Sequence, residues 1–156
     1  DAIAQLRTRH LLGAVLRQVE RQKPLLGICL GMQLLFEESE EMGRHRGLGL
    51  LRGRVVRFSD VELKVPHVGW NRLLGPRGAL LNGIAEGAHA YFVHSYYVLP
   101  DDPADLLAAT EYGLLFASVV GRGAIWGAQF HPEKSQEVGL RLLRNFAGLV
   151  AERIER

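Results

Sequence analysis

The stretch that most constrains the fold of this 156-residue chain runs from Pro24 to Gln33 and reads PLLGICLGMQ. Its first half is a short apolar run after a proline, which predicts a buried β-strand, and its second half returns to helical spacing. The only cysteine, Cys29, lies where the strand turns into the helix, between Gly27 and Gly31. A strand that leads through a tight turn into a helix is typical of α/β proteins.

Hydrophobic periodicity predicts helices at both ends of the chain and strands between them. The predicted helices are residues 3–22, 30–38 and 135–154. The predicted strands are residues 24–29, 54–59, 63–70, 87–100, 105–113 and 114–130, the last folded as a hairpin at residues 121–123. The glycine-rich, basic residues 41–53 are predicted as a loop. We therefore expect a three-layer α/β domain, a flavodoxin-like mixed sheet flanked by helices.

Composition indicates one globular domain over residues 1–156, with 47% hydrophobic residues and a net charge of +2. Opposite charges are interspersed along the chain, which argues against a nucleic-acid or membrane partner. No apolar run approaches the roughly 20 residues of a membrane span, and the N-terminus does not resemble a signal peptide. A single cysteine cannot form an internal disulfide, which suits the reducing cytoplasm.

The sequence around Cys29 has the pattern G-x-C-x-G, the cysteine counterpart of a nucleophile elbow. Small neighbours let the backbone pass through such a turn. If the helix begins at Leu30, its positive end lowers the thiol pKa, and the Leu30 N–H can stabilise an oxyanion. The alternative is a packed structural cysteine.

A base for this thiol is available in the segment AQFHPEKS, which contains His131 and Glu133. A thiol that performs acyl transfer needs an imidazole, and the imidazole needs an orienting carboxylate. The alternative is an ordinary loop histidine beside an acid. A zinc deaminase would need a P-C-x-x-C pair, which this one-cysteine chain lacks. The other histidines show no ligand spacing, so neither a metal nor another cofactor is expected; they are His10, His45, His67, His89 and His94.

In its motifs GICLGMQ and FHPE, the chain resembles the class I (triad-type) glutamine amidotransferase family. The resemblance implies that Cys29 is the nucleophile, that His131 is the base and later the acid, and that Glu133 orients His131. It places the residues that contact or frame bound glutamine at Gln33, Glu41, His94, Ser95 and Tyr96.

Three further segments, PHVGWN, YFVHSYYV and HPEKS, are similar to the glutaminase subunits of imidazole glycerol phosphate synthase. This similarity implies a (β/α)₈ cyclase as heterodimer partner, which receives ammonia through a channel and works in histidine biosynthesis. The positions near the partner face are Trp70, Asn71 and Tyr91. Family members begin with about fifty further residues, whose glycine-rich loop donates a second oxyanion amide, so we expect this domain to lack its N-terminal portion.

Two other functions remain open at this point. The chain could serve another synthase, such as those for anthranilate, aminodeoxychorismate or GMP. It could also be an inactive flavodoxin-like binding module that retains the elbow by descent. The segments HVGWN and HPEKS argue against another synthase, and the presence of Cys29, His131 and Glu133 together argues against an inactive module.

Overall fold

A computed structural model describes residues 2–59 and 62–154. The α-helices in this part of the chain are α1 (Ala2–Thr8), α2 (Leu12–Glu20), α3 (Leu30–Leu34) and α4 (Gln136–Ile154). Its β-strands are β1 (Leu25–Ile28), β2 (Phe36–Ser39), β3 (His45–Arg46), β4 (Leu51–Arg57), β5 (His67–Arg72), β6 (His89–His94), β7 (Tyr96–Pro100), β8 (Leu106–Tyr112), β9 (Leu114–Arg122) and β10 (Ile125–Ala128). The α/β class and the C-terminal helix are therefore confirmed.

The main sheet has the strand order β1-β10-β9-β7-β4-β2-β3, and β8 also pairs with β9. β1 is parallel to β10 and β2 is parallel to β4, whereas the other pairs are antiparallel. β5 and β6 form a separate antiparallel pair, which we call the β5–β6 ribbon. Because β1 and β10 are parallel neighbours, the segments that follow them emerge at the same edge of the sheet.

The prediction of one helix over residues 3–22 is wrong, because the chain leaves helical geometry after α1. His10 has a φ of 57°, in the left-handed region. The N–H of His10 donates to Arg7 O at 3.0 Å, and the N–H of Leu11 donates to Leu6 O at 2.9 Å. These two bonds end α1 in a Schellman motif, whose left-handed residue is usually glycine. Since histidine occupies that position, the sequence carries no obvious stop signal.

The helix predicted over residues 30–38 is also too long. It ends at Leu34, and the following residues form β2 beside β4. Phe36 is fully buried there, so pairing with a strand distant in sequence decides the conformation. The loop predicted over residues 41–53 contains β3 and the beginning of β4.

The single strand predicted over residues 87–100 is in fact two strands that belong to different sheets. β6 pairs with β5, β7 pairs with β4, and Ser95 lies between them. The strand predicted over residues 63–70 is shifted, since β5 begins at His67. The hairpin between β9 and β10 is confirmed, with Gly123 at a φ of 60° in its turn.

Apolar side chains cover the main sheet on both faces. One cluster joins the sheet to α4 and to the ribbon, and it includes Leu142, Phe92 and Phe130. The other packs α3 against the sheet, and it includes Met32 of α3 and Phe36 of β2. None of the helices in the described part of the chain has the length and apolar character needed to cross a bilayer.

Candidate active site

Cys29 occupies a strained turn between β1 and α3. Its backbone has φ 52° and ψ −109°, a conformation that residues with a side chain rarely adopt. A Cβ at Gly27 would lie 2.5 Å from the carbonyl oxygen of Gly31, so only glycine fits at that position. A Cβ at Gly31 would meet nothing within 4 Å. The steric requirement expected of both glycines therefore holds only for Gly27.

The parallel pair β1 and β10 brings the two halves of the site to one sheet edge. Ile28 is opposite Ala128, and the Cys29 N–H donates to the Ala128 carbonyl at 2.8 Å. Gln129 and His131 follow directly at the end of β10. A hundred residues of sequence thus separate groups that the strand register places side by side.

His131 and Glu133 form a hydrogen-bonded pair in a short 3₁₀ turn before α4. The His131 Nδ1 lies 2.8 Å from Glu133 Oε1. Burial acts to raise the pKa of the Glu133 carboxyl, but hydrogen bonds from its own N–H and from His131, with the charges of His131 and Lys134, lower it. Glu133 is therefore ionised at neutral pH and orients the ring, with its proton on Nδ1.

Ser135 fixes this turn to the β5–β6 ribbon. Its hydroxyl donates to the His131 carbonyl at 2.7 Å and accepts from the Tyr91 N–H at 2.9 Å. The His131 N–H in turn donates to the Tyr91 carbonyl at 3.0 Å. The backbone that carries the imidazole is therefore held by three hydrogen bonds.

A cleft of about 210 Å³ opens beside the cysteine. All five residues expected to contact glutamine line it, together with Cys29, Leu30 and Val93; the five are Gln33, Glu41, His94, Ser95 and Tyr96. They come from three separate segments of the chain, residues 29–33, 41 and 93–96. A larger surface groove of about 570 Å³ lies along β2 and β4 and contains none of the predicted site residues.

Comparison with known proteins decides the family. The sequence model for class-I glutamine amidotransferases matches residues 7–148. The chain belongs to the class-I glutamine amidotransferase family. This amidotransferase is 54% identical to imidazole glycerol phosphate synthase subunit HisH of Geobacillus kaustophilus, over 98% of the chain and 75% of that protein. It is 49% identical to the protein of the same name from Syntrophotalea carbinolica, over 96% of the chain and 76% of that protein.

Solved structures of more distant amidotransferases share the fold. A structure described as a glutamine amidotransferase superposes with a TM-score of 0.69 at 22% identity, and covers 94% of this chain and 71% of its own. A structure from Thermoplasma acidophilum, described as a putative subunit of GMP synthase, gives a TM-score of 0.66 at 23% identity, with 94% and 67% covered. These similarities show the fold alone.

The thiol of this amidotransferase has a raised pKa, contrary to the expectation from the helix end. Burial raises the pKa of Cys29, the N–H of Leu30 and the amide of Gln129 lower it, and the carboxylates of Glu133 and Glu41 raise it further. The first N–H of α3 does favour the thiolate, but the burial of Cys29 outweighs it. The resting cysteine is therefore mainly a thiol at neutral pH and needs a base.

Behind the cleft wall lies a buried pair of histidines, His67 and His94, which are 3% and 5% exposed. The His94 Nδ1 is 2.8 Å from the Tyr96 carbonyl, which can only accept, so His94 carries its proton on Nδ1. Its Nε2 then accepts from His67 Nδ1 at 3.0 Å. The remaining His67 Nε2 faces the Asn71 Nδ2 donor at 3.3 Å. Both rings are thus neutral, with every nitrogen assigned.

This pair predicts a specific loss of stability in acid. Burial lowers the pKa of each ring from 6.5 to about 4, so the unfolded chain binds more protons between these values. The neutral histidine pair contributes its full stabilisation to the free energy of unfolding above pH 6.5. As the pH drops from 6.5 to 4, the free energy of unfolding falls by about 3 kcal/mol for each histidine. Urea titrations across this range measure it.

His67→Gln is the matched variant for that prediction, because glutamine can still donate to His94 and accept from Asn71. We expect it to remove about half of the difference in unfolding free energy between pH 6.5 and pH 4. The exposed His10→Gln variant is the control and should keep the full difference. An equal slope in all three proteins would contradict the assignment.

The three positions expected at a partner face are not equivalent. Trp70 and Tyr91 are paired across the β5–β6 ribbon, with ring centroids 5.8 Å apart, and Trp70 is 47% exposed. Asn71 instead donates to the Glu111 carbonyl at 2.8 Å, on the other face of the ribbon. Only Trp70 and Tyr91 therefore share a surface.

Sequence reasoning missed two groups that contact the sulfur. The Cys29 thiol lies 3.8 Å from the Val93 carbonyl, and Gln129 Nε2 lies 3.6 Å from Cys29 Sγ. Every residue has a backbone carbonyl, so the sequence does not indicate which one contacts the sulfur. Gln129, however, is a polar residue inside the apolar run IWGAQF, and that contrast could have singled it out.

Proposed function

We propose that this chain is the glutamine-hydrolysing subunit of an imidazole glycerol phosphate synthase and supplies ammonia to a (β/α)₈ cyclase subunit. The observation that carries the proposal is the 54% identity to a HisH subunit over 98% of the chain. A cleft lined by Cys29 and by all five expected glutamine-binding residues supports it. We place the reaction in the cytoplasm, where a nucleophilic thiol stays reduced.

The proposed reaction begins with proton transfer from the Cys29 thiol to His131. The sulfur attacks the side-chain carboxamide carbon of glutamine, and the Leu30 N–H stabilises the oxyanion. His131 returns its proton to the nitrogen, which leaves as ammonia and gives a thioester. His131 then activates water, which releases glutamate and restores the thiol. Glu133 stabilises the charged ring at both stages.

The wall of the cleft offers groups that can orient glutamine. Gln33 Nε2 donates to the Tyr96 carbonyl and to Gln129 Oε1, both at 3.1 Å. Both N–H bonds of this amide are thus used, and its oxygen is left to accept from the α-amino group of glutamine. Glu41 supplies a carboxylate for the same ammonium, and the backbone from His94 to Tyr96 forms the opposite wall.

The exposed face of the β5–β6 ribbon is the proposed surface for the cyclase. Val68 and Trp70 are 54% and 47% exposed, and Tyr91 lies beside Trp70 with Lys134 Nζ 5.9 Å from its ring centroid. Val93, opposite Val68 in the ribbon, lines the cleft with Cys29. A partner bound on this face therefore covers the exit from the cleft, where ammonia forms.

Trp70→Arg should weaken binding to the cyclase about 30-fold or more, since truncating a central tryptophan typically removes at least 2 kcal/mol from an interface. Leu11→Arg is the control, because Leu11 is 48% exposed on the connection between α1 and α2. Calorimetric titration of each variant with the cyclase gives the affinities. Equal affinities for the two variants would contradict the assignment of this face.

The choice of synthase is tested by adding candidate partners to the full chain. Glutamate formation from glutamine should rise with the cyclase subunit and its nucleotide ligand, and should stay unchanged with the large subunit of anthranilate synthase. Stimulation by the second partner alone would assign the chain to another pathway. If a glutamine-derived electrophile did not label Cys29 in the wild-type chain, an inactive binding module would be favoured instead.

A further inference from the structure

Gln129 is a buried polar side chain that the reaction described above does not use. It follows β10 directly, none of its surface is exposed, and its N–H donates to the Ser118 carbonyl at 2.9 Å. Its side-chain Nε2 lies 3.6 Å from Cys29 Sγ, within the range of an N–H···S hydrogen bond. The amide thus contacts the reacting atom from the protein interior.

The orientation of this amide is fixed by its neighbours. Gln129 Oε1 accepts from Gln33 Nε2 at 3.1 Å, which turns the Gln129 NH₂ group toward the sulfur. Gln33 is held by the Tyr96 carbonyl, which also accepts from His94 Nδ1 at 2.8 Å. A continuous series of buried and partly buried hydrogen bonds therefore directs one donor toward the thiol.

We propose that Gln129 is a further catalytic residue, whose side-chain N–H donates to Cys29 Sγ and stabilises the thiolate each time the sulfur carries charge. The proposal rests on the proposed glutaminase function of Cys29. A hydrogen bond to the charged form of a group favours that form, and bonds to charged partners are the strong ones. Because burial opposes ionisation of this thiol, a donor on its buried side compensates.

Gln129 and Leu30 have different tasks in this scheme. The Leu30 N–H is needed by the substrate oxyanion once the sulfur has attacked. The Gln129 donor stays with the sulfur, and it binds a thiolate more strongly than a neutral thioester. It therefore assists both the formation of the nucleophile and the departure of the thiolate when water cleaves the thioester.

The test is the pH dependence of Cys29 alkylation by iodoacetamide in the full chain, followed by peptide mass spectrometry. Gln129→Met removes the donor, and we expect the thiol pKa to rise by about one unit, which slows alkylation about tenfold at pH 7. Gln129→Glu keeps an acceptor for Gln33 but places a carboxylate beside the sulfur, so the rise should be larger. Ser118→Ala, a buried change on the adjacent strand β9, should leave the pKa unchanged.

A purely structural role predicts a different result. Gln129→Met would then lower the melting temperature while the alkylation pKa stays at the wild-type value, and that outcome overturns the proposal. If Gln129→Met does not fold, Gln33→Met decides, because it removes the hydrogen bond that turns the Gln129 amide toward the sulfur and adds no charge there. The thiol pKa should rise in this variant too, and an unchanged pKa would overturn the proposal. A wild-type protein that forms no glutamate, although its thiol pKa depends on Gln129, would reject the glutaminase function and leave the hydrogen bond established.

Discussion

Cys29→Ala should abolish glutamine-dependent turnover in the complex with the cyclase and leave ammonia-dependent turnover intact. Removal of the nucleophile from a comparable triad lowers the rate on the order of 10⁶-fold. Added ammonia bypasses the thiol, because it reaches the cyclase without the amide-cleaving step. The measurement is the rate of cyclase product formation with glutamine or with ammonium salt as the nitrogen source.

The control for this prediction is Ser118→Ala, a change of similar size at a buried position of β9. It should retain both rates. If Cys29→Ala lost both rates together while its complex with the cyclase stayed intact, the thiol would have no specific part in glutamine cleavage. If it kept both, Cys29 would be a structural cysteine.

Gly139→Ala should disturb the site from a distance, because α4 packs directly on the turn that carries His131 and Glu133. A Cβ at Gly139 would lie 1.8 Å from the Pro132 carbonyl oxygen. The turn or the first turn of α4 must therefore move. Overpacking of this kind typically costs about 1–3 kcal/mol, or roughly 5 °C in melting temperature.

The same substitution should lower glutaminase activity about 100-fold, since a shift of about 1 Å in a catalytic group has effects of that size. Pro132 separates His131 from Glu133, so displacement of its carbonyl changes their position relative to Cys29. Thermal unfolding and glutamate release measure the two effects.

Gly148→Ala is the matched control on the same helix. A Cβ at Gly148 would meet nothing within 4 Å, so the change should stabilise α4 by about 0.5–1 kcal/mol and leave activity unchanged. If Gly139→Ala behaved in the same way as Gly148→Ala, the close packing of α4 on the turn at Pro132 would be contradicted.

Local signals explain which parts of the fold could be predicted from the sequence. The turn at Cys29 follows from a glycine that the backbone requires, and the hairpin at Gly123 follows from a residue with positive φ. The end of α1 at His10 and the division of residues 87–100 at Ser95 have no such signals. Tertiary pairing determines the division at Ser95, since β6 and β7 both have strand-forming sequences but join different sheets.

In the site, too, local motifs could be predicted and features set by tertiary packing could not. Seven of the eight residues that line the cleft were predicted, because the motifs around Cys29 and His131 are specific; Val93 was not among them. The direction expected for the thiol pKa is wrong, because burial depends on packing that periodicity does not describe. Gln129 was also missed, since its role depends on the register between β1 and β10.

The most direct test of the central claim is to trap the covalent intermediate. The full chain with its cyclase partner is mixed with glutamine, quenched in acid within one turnover and digested for mass spectrometry. The account predicts that the peptide containing Cys29 gains the mass of glutamine minus ammonia, and that Cys29→Ala gains none. Glutamate release with no adduct on Cys29, or with an adduct on another residue, would contradict it.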